Sequence, residues 1–500
     1  MRQIIPFYTP IAVSPAVYSM VLSIDGMRLS GTSRIKWTHK GKMPLQTLLI
    51  KGEYTTLTLE AQAGYIVERD ENITLITLPH PMKQGDEVTI KIEFSVALEA
   101  SPFCDGDGSV LMPANYESPA YNYNMWYPML AWDVPVCGDY TVEVQESQGY
   151  RICATGAKNG NVYTQDCARI FGLLLCKGLE YFEQTLGDVT VKAFYKAGNE
   201  TAARRLADTS LDAIEFYKDL VGFYPQRSYS FLPYSSVWNG GGNWSTGIAF
   251  FHRMEQFNDI GDDSKPWIAA HEICHHYWGE YVPDGDYCGW LWIGLGMMMD
   301  KEYSASRGIA PSDFNRAESV LKYHQQGNDT TIWRPIEAFK DAEESDNDYN
   351  SIIRHDKSYC VMSMLKQIIG RECFFEIMRH ILNEYAGRAL RTMDFWRICE
   401  EKSGMRLDWF FTDCLHSSRL AGYEIQSIEK DGAATKVKVN SLGEFKFPVH
   451  IEARRLDGSI LRKQLNRLMD KQVVCFDEEV TDIKVGVEEW LPTILYKNWN

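Results

Sequence analysis

The sequence has no run of apolar residues near the ~18 needed to cross a bilayer, so no helical membrane span is expected. Its opening, MRQIIPFYTPIAVSPAVYSM, lacks the basic head and unbroken apolar stretch of a secretory signal. CxxC pairs are missing too: the 12 cysteines are scattered without regular spacing. In a chain this long they read as buried free thiols in a reducing compartment, and the cytoplasm is the expected location. Basic residues number 51 against 67 acidic ones, and the resulting net charge of −16 argues against phosphate backbones and anionic membranes as partners. Neither an internal repeat nor a low-complexity segment is present. What is there is ordinary globular composition, 45% hydrophobic and 24% charged, in 500 residues. That length suggests roughly two to four domains.

Patterning divides the chain in three. Up to residue 190 the sequence alternates as strands do, in Val88–Phe94 and Tyr140–Val144, with turn signals at Asp70-Glu71-Asn72 and Gln84-Gly85-Asp86. From about Asn199 the period becomes helical: Leu206, Leu211, Ile214 and Tyr217 recur at three to five residues before Gly222 and Pro225 stop the run. Further helices are predicted over Trp267–Trp278, Trp292–Tyr303, Ser312–His324, Tyr359–Ile369, Glu372–Tyr385 and Met393–Ser403, the last with Thr392 as a candidate cap. After Leu415 alternation returns, with an Asp457-Gly458 turn. The expected fold is multidomain α+β: a β-sandwich-like domain over 1–190, a mostly helical domain over 191–416 and a small β-sandwich over 417–500.

One motif carries chemistry. His271-Glu272-Ile273-Cys274-His275 fits H-E-x-x-H, and on a helix the two histidines share a face, so both imidazoles reach one cation. Glu272 then stands where a carboxylate takes a proton from water. His276 points about 100° away from His275 and reads as packed, Cys274 as core, and Met297-Met298-Met299 as core volume.

The surroundings, HEICHHYWGEYV followed by WLWIGLGMMMDKEY, resemble the aminopeptidase N family of gluzincin metallopeptidases, whose pattern is H-E-x-x-H-x-W-x-G and then W-L-N-E-G-F. Gly279, Trp292, Gly296, Glu302 and Tyr303 match that pattern. Upstream YNYNMWYPMLAWDVP and ICATG, and downstream DKSYCVMSMLKQIIGRECFFEIMRHIL, continue the resemblance in the same order. It implies a thermolysin-like middle domain and a zinc site using His271 and His275 as ligands with Glu272 as base.

Three positions depart from the family. Its third ligand, a glutamate, aligns with Leu295 along the helix or with Gly294 by strict spacing, and neither donates to a metal. Asp300 lies about 140° round the helix from Leu295, and Glu302 about 10 Å along it, too far to ligate but placed to brace a histidine. The family's G-x-M-E-N, whose glutamate grips a substrate amine, falls on Trp238-Asn239-Gly240-Gly241-Gly242-Asn243-Trp244, with Gly242 or Asn243 at the glutamate. This glycine run is either a plain turn or a backbone that lines the cleft. The family's oxyanion tyrosine falls on His355, which is either a surface residue or a hydrogen-bond donor. Cys288, in the loop before Leu295, is a remote candidate ligand.

Three readings follow: a metal-dependent hydrolase with a weakened two-histidine zinc site, a non-catalytic binding or scaffold protein, and an enzyme turned to other acid–base chemistry on Glu272 and His355. The expected partner is a peptide or small molecule in the cleft, with nucleic acid and membrane excluded and oligomeric state left open.

Overall fold

A computed structural model describes residues 14–52, 56–60, 64–70, 73–101, 104, 108–114, 126–132, 135–234, 241–252, 254–259, 267–286, 288–309, 316–333, 349–488 and 490–496. Glu71, Asn72, Trp238, Asn239, Gly240 and Ser312, named above, lie outside them, as do the first thirteen residues and residues 121–125 of the aromatic run. The chain forms two compact units: Met1–Tyr287 with Met299–Ala310 and Met378–Thr392, and Cys288–Met298 with Pro311–Ile377 and Met393–Asn500.

The first unit begins with sheets, as alternation dictates. Ala16–Asp25 buries every second residue without a break, so one face is core and the other solvent. It pairs in parallel with Gly138–Gln145 and antiparallel with Arg28–Thr38, inside a ten-stranded sheet. Predicted Val88–Phe94 lies within strand Glu87–Ala100, and Tyr140–Val144 within Gly138–Gln145. A four-stranded sheet runs in the order Ile66–Asp70, Ile73–Met82, Leu45–Lys51 and Met129–Leu130.

A five-stranded mixed sheet then leads to the motif. Its order is Glu180–Leu186, Val189–Tyr195, Ser228–Tyr234, Ile248–His252 and Gly241–Ser245. The middle three strands are parallel, and Gly241–Ser245 runs antiparallel to Ile248–His252 along one rim. The connection between the first two parallel strands of this sheet is helix α1, Glu200–Val221, which buries Leu206, Leu211, Ile214 and Tyr217 as its spacing predicts. It ends where Gly222 takes φ 102°, a left-handed cap that glycine adopts without steric cost. Helix α2, Trp267–Tyr277, packs against α1 and against strand Gly241–Ser245. Residues 269–277 of α2 are all buried, so this helix has no solvent face.

Helix α3 spans Trp290–Ser306. It is followed in the chain by helices Arg316–Gln325, Ser358–Ile369, Arg371–Glu384 and Thr392–Ser403, which match the predicted spans to within one residue wherever both ends are described, and by Asp408–His416, which the sequence reading does not predict. Tyr349–Lys357, ahead of Ser358, forms a π-helix. The C-terminal part holds a four-stranded sheet (Lys471–Phe476, Ala434–Ser441, Ala421–Asp431, Thr493–Tyr496) and a three-stranded one (Ile460–Gln464, His450–Arg455, Val480–Val485). Their buried faces carry Val437, Val439, Ile451, Ala453 and Phe476. Among the described residues no helix is long and apolar enough to cross a membrane.

Gly294 shows how closely the second unit is packed. A Cβ there would lie 2.9 Å from Met362 Cγ and 3.3 Å from the Ser358 carbonyl oxygen. Replacing this glycine by alanine gains about 1 kcal/mol of helix propensity. Overpacking costs about 1–3 kcal/mol, and because a backbone atom is among the obstacles the steric cost is the larger. Gly294→Ala is therefore predicted to lower the urea midpoint; a midpoint equal to or above wild type would show that the helix Ser358–Ile369 yields.

Candidate functional site

Helix α2 holds His271, Glu272, His275 and His276, all with at most 9% of their surface exposed. Burying four titratable side chains costs free energy unless each finds a partner, so such a cluster in a core helix needs a reason beyond packing. For His276 the partners are structural. Its Nδ1 meets the Tyr224 hydroxyl at 2.6 Å and its ring stands edge-on to Tyr229 at 4.8 Å. Burial drives its pKa down to about 3, so the ring is neutral and packed, as the sequence indicates.

His271 and His275 are arranged differently. One helical turn brings His271 Nε2 and His275 Nε2 to 3.3 Å. Two nitrogens each about 2.0–2.1 Å from a tetrahedral zinc would stand roughly 3.3–3.4 Å apart. The outer nitrogen of His271, Nδ1, meets Asp300 Oδ2 at 2.5 Å. A carboxylate at Nδ1 accepts a hydrogen bond from the ring N–H, which keeps the proton on Nδ1 and leaves the Nε2 lone pair facing His275, the support that metal-binding histidines ordinarily receive. The donor set therefore fits a metal ion at two positions.

A third donor is harder to find. His271, Cys274 and His275 place their ligand atoms within 4.8 Å of one another. Yet the Cys274 thiol donates to the His271 carbonyl at 2.6 Å, and burial, followed by the nearby Asp300 and Glu272 carboxylates, raises its pKa well above the usual thiol range. A protonated thiol turned back along its own helix is a poor ligand.

Asp300 is the residue the sequence reading missed. Glu302 was the carboxylate expected to brace a histidine, and Asp300 was set aside because it turns about 140° from Leu295. That angle bears on direct ligation and says nothing about Nδ1. Read back from Asp300, the same stripe of α3 reaches Ile293 two turns earlier, whereas Leu295 lies on another face. Ile293, Gly294 and Leu295 all lack a metal donor, and all are in the second unit together with buried Cys288.

The glycine run is resolved as a strand. Gly241–Ser245 is the rim of the five-stranded sheet among the described residues, with Gly241 opposite Phe251, Gly242 opposite Phe250 and Asn243 opposite Ala249, and a shift of register before Ser245. Gly242 is exposed. A rim strand offers main-chain donors and acceptors to an incoming extended chain.

His355 lies in the second unit, half-buried on the π-helix Tyr349–Lys357, a distortion common at functional positions. Its two successors are pinned by buried ion pairs. Asp356 accepts from Arg316 at 2.6 Å, and Lys357 donates to Asp329 and to the Thr330 carbonyl, both at 2.8 Å. Asp329 also meets His324 Nδ1 at 3.1 Å. Burial raises the Asp356 pKa from 3.8 to about 6 and outweighs the opposing pull of Arg316. A carboxyl raised on folding gives stability that is full below its unfolded pKa and is lost as pH rises through the folded one. Stability is thus predicted to fall between pH 3.8 and about 6 by one proton's linkage that Asp356→Asn lacks, read from urea midpoints across that range. Equal slopes in the two proteins would refute the assignment.

With the geometry in hand, comparison with known proteins is informative. Residues 239–413 match the peptidase family M1 domain. Aminopeptidase M1-B of Oryza sativa subsp. japonica is 24% identical over 237 residues, covering 45% of this chain and 27% of that protein. Aminopeptidase M1-C of the same plant is 22% identical over 256 residues, covering 48% and 28%. The crystal structure of Legionella pneumophila aminopeptidase A in complex with aspartic acid shares the fold, with a TM-score of 0.69 at 13% identity over 99% of this chain and 61% of that one. The match thus spans little more than a quarter of the rice proteins. Over residues 239–413 the chain is thus similar to the peptidase family M1 domain, with low-identity aminopeptidase M1 relatives and the fold of an aminopeptidase.

Proposed function

We propose that this chain is a metal-dependent hydrolase of aminopeptidase type with a thinned coordination sphere, in which His271 and His275 hold zinc and no carboxylate of α3 completes the set. The observation that carries this reading is the 3.3 Å approach of the two Nε2 atoms, with Asp300 bound to the far side of the His271 ring. Zinc bound there supplies Lewis acidity to the scissile carbonyl and the attacking water. The Glu272 carboxylate takes the proton from that water and passes it to the leaving nitrogen. By its place in the sequence, His355 is the residue to test as hydrogen-bond donor to an oxyanion. The rim strand Gly241–Ser245 pairs with an extended peptide through its main chain. Because Gly241, Gly242 and Asn243 offer no carboxylate to an ammonium group, selection for a free N-terminus is lost. The substrate class is therefore peptides and small amides rather than ordinary aminopeptidase substrates.

A second reading, a peptidase fold kept as a binding or scaffold surface, is favoured by Gly294 and Leu295, which put no metal donor at either position that aligns with the family's third ligand. Zinc loading followed by elemental analysis separates the two. The hydrolase takes up one zinc per chain, removable by a chelator, and Glu272→Gln lowers amide hydrolysis by about 10²–10⁴. Absence of zinc uptake, together with readouts indifferent to Glu272→Gln, establishes the scaffold instead. Turnover that survives chelation but not Glu272→Gln would mark chemistry redirected to Glu272 and His355.

Two further substitutions probe the metal site. Asp300→Asn is predicted to weaken zinc about 10–100-fold; unchanged affinity would remove Asp300 from the site. Leu295→Glu, at the position the sequence aligns with the family's third ligand, is predicted to strengthen zinc, and unchanged affinity would remove residue 295 from the ligand position.

A further inference from the structure

Cys137 and Cys167 stand on adjoining strands of the ten-stranded sheet. Cys137 directly precedes Gly138–Gln145, which pairs antiparallel with Val162–Ala168 so that Gly138 lies opposite Ala168. The two cysteines therefore come together at the end of this strand pair. The register shifts beside them, and Cys167 takes φ 52°, so the strand bends at this point. Gly387 closes over the pair: a Cβ there would lie 3.1 Å from Cys167 Sγ and 3.4 Å from Cys137 Cβ. Burial holds the Cys137 thiol well above the usual range. Cys167 is half-buried, and both are free.

The pair also touches the end of the metal helix. Cys137 Sγ donates to the Glu280 carbonyl at 3.1 Å. The amides of Glu280, Tyr281 and Val282 donate in turn to the carbonyls of His275, His276 and Tyr277 at 3.3, 3.1 and 2.9 Å. One short segment thus joins a thiol to the last turn of α2.

We propose that Cys137 and Cys167 are a thiol–disulfide exchange site for low-molecular-weight disulfides, whose closure loosens the segment following the metal-helix histidines. Cys167, the more accessible thiol, loses its proton and attacks one sulfur of the small disulfide, forming a mixed disulfide and releasing one thiol that carries off the proton. Cys137 then loses its own proton and attacks Cys167 Sγ, releasing the second thiol. One small disulfide is reduced to two thiols while two protein thiols become one disulfide. The S–H that bonded the Glu280 carbonyl is gone, leaving that buried acceptor short of a donor.

The test uses the full chain in oxidised and reduced glutathione, read by peptide mapping and by amide hydrogen exchange. In oxidised buffer we expect a Cys137–Cys167 linkage, while exposed Cys475 carries only a single glutathione. Exchange at Glu280, Tyr281 and Val282 should quicken several-fold and return on reduction. Cys137→Ser keeps a hydroxyl for the Glu280 carbonyl but cannot close the bond, so its exchange should be the same in both buffers. Two results would overturn the proposal: Cys167 holding one glutathione with Cys137 still free, or a closed disulfide with exchange at 280–282 unchanged. Neither readout depends on zinc or turnover, so failure of the hydrolase reading leaves this one standing.

Discussion

The bond between His271 and Asp300 is the interaction on which the site depends. A helix buried on every side tolerates an imidazole only if the ring's polar edges are satisfied. At 2.5 Å the carboxylate does this for one edge and fixes the tautomer, which turns the other edge towards His275. Without it the two rings would be polar residues in an apolar helix. With it they are two imidazoles held with their Nε2 atoms 3.3 Å apart.

Around this pair lie the five-stranded sheet and helix α1. The mixed sheet, α1 and α2 place the two imidazoles beside the rim strand, much as the domain match implies. At the three positions where the sequence departs from the aminopeptidase N pattern stand a hydrogen atom at Gly242, aliphatic or glycine residues at Ile293 to Leu295, and an imidazole at His355. In the second unit that imidazole sits on a π-helix whose next two residues are held by Arg316 and Asp329, so its backbone is anchored regardless of its role.

Much of this was legible in the chain. The helices show because their apolar spacing is strong and their stops are glycine or proline, and the metal pair shows because one helical turn is a fixed geometric rule. Three things were hidden. The Asp300 contact spans 29 residues and depends on how α3 lies beside α2, which no local period records. The strand Gly241–Ser245 hides because glycines have no side chains to alternate, so a rim strand and a turn look the same. The π-helix at Tyr349–Lys357 hides because its only aliphatic residues, Ile352 and Ile353, are adjacent and set no helical period.

The rim strand has a consequence for the protein's behaviour in concentrated solution. Its open main chain makes no distinction between a substrate and another copy's backbone, and two glycines remove the side chains that would fend off a stranger. What keeps it from templating fibrils is brevity: five residues, with the ladder slipping out of step after Asn243. Lengthening or straightening that rim would trade selectivity for stickiness.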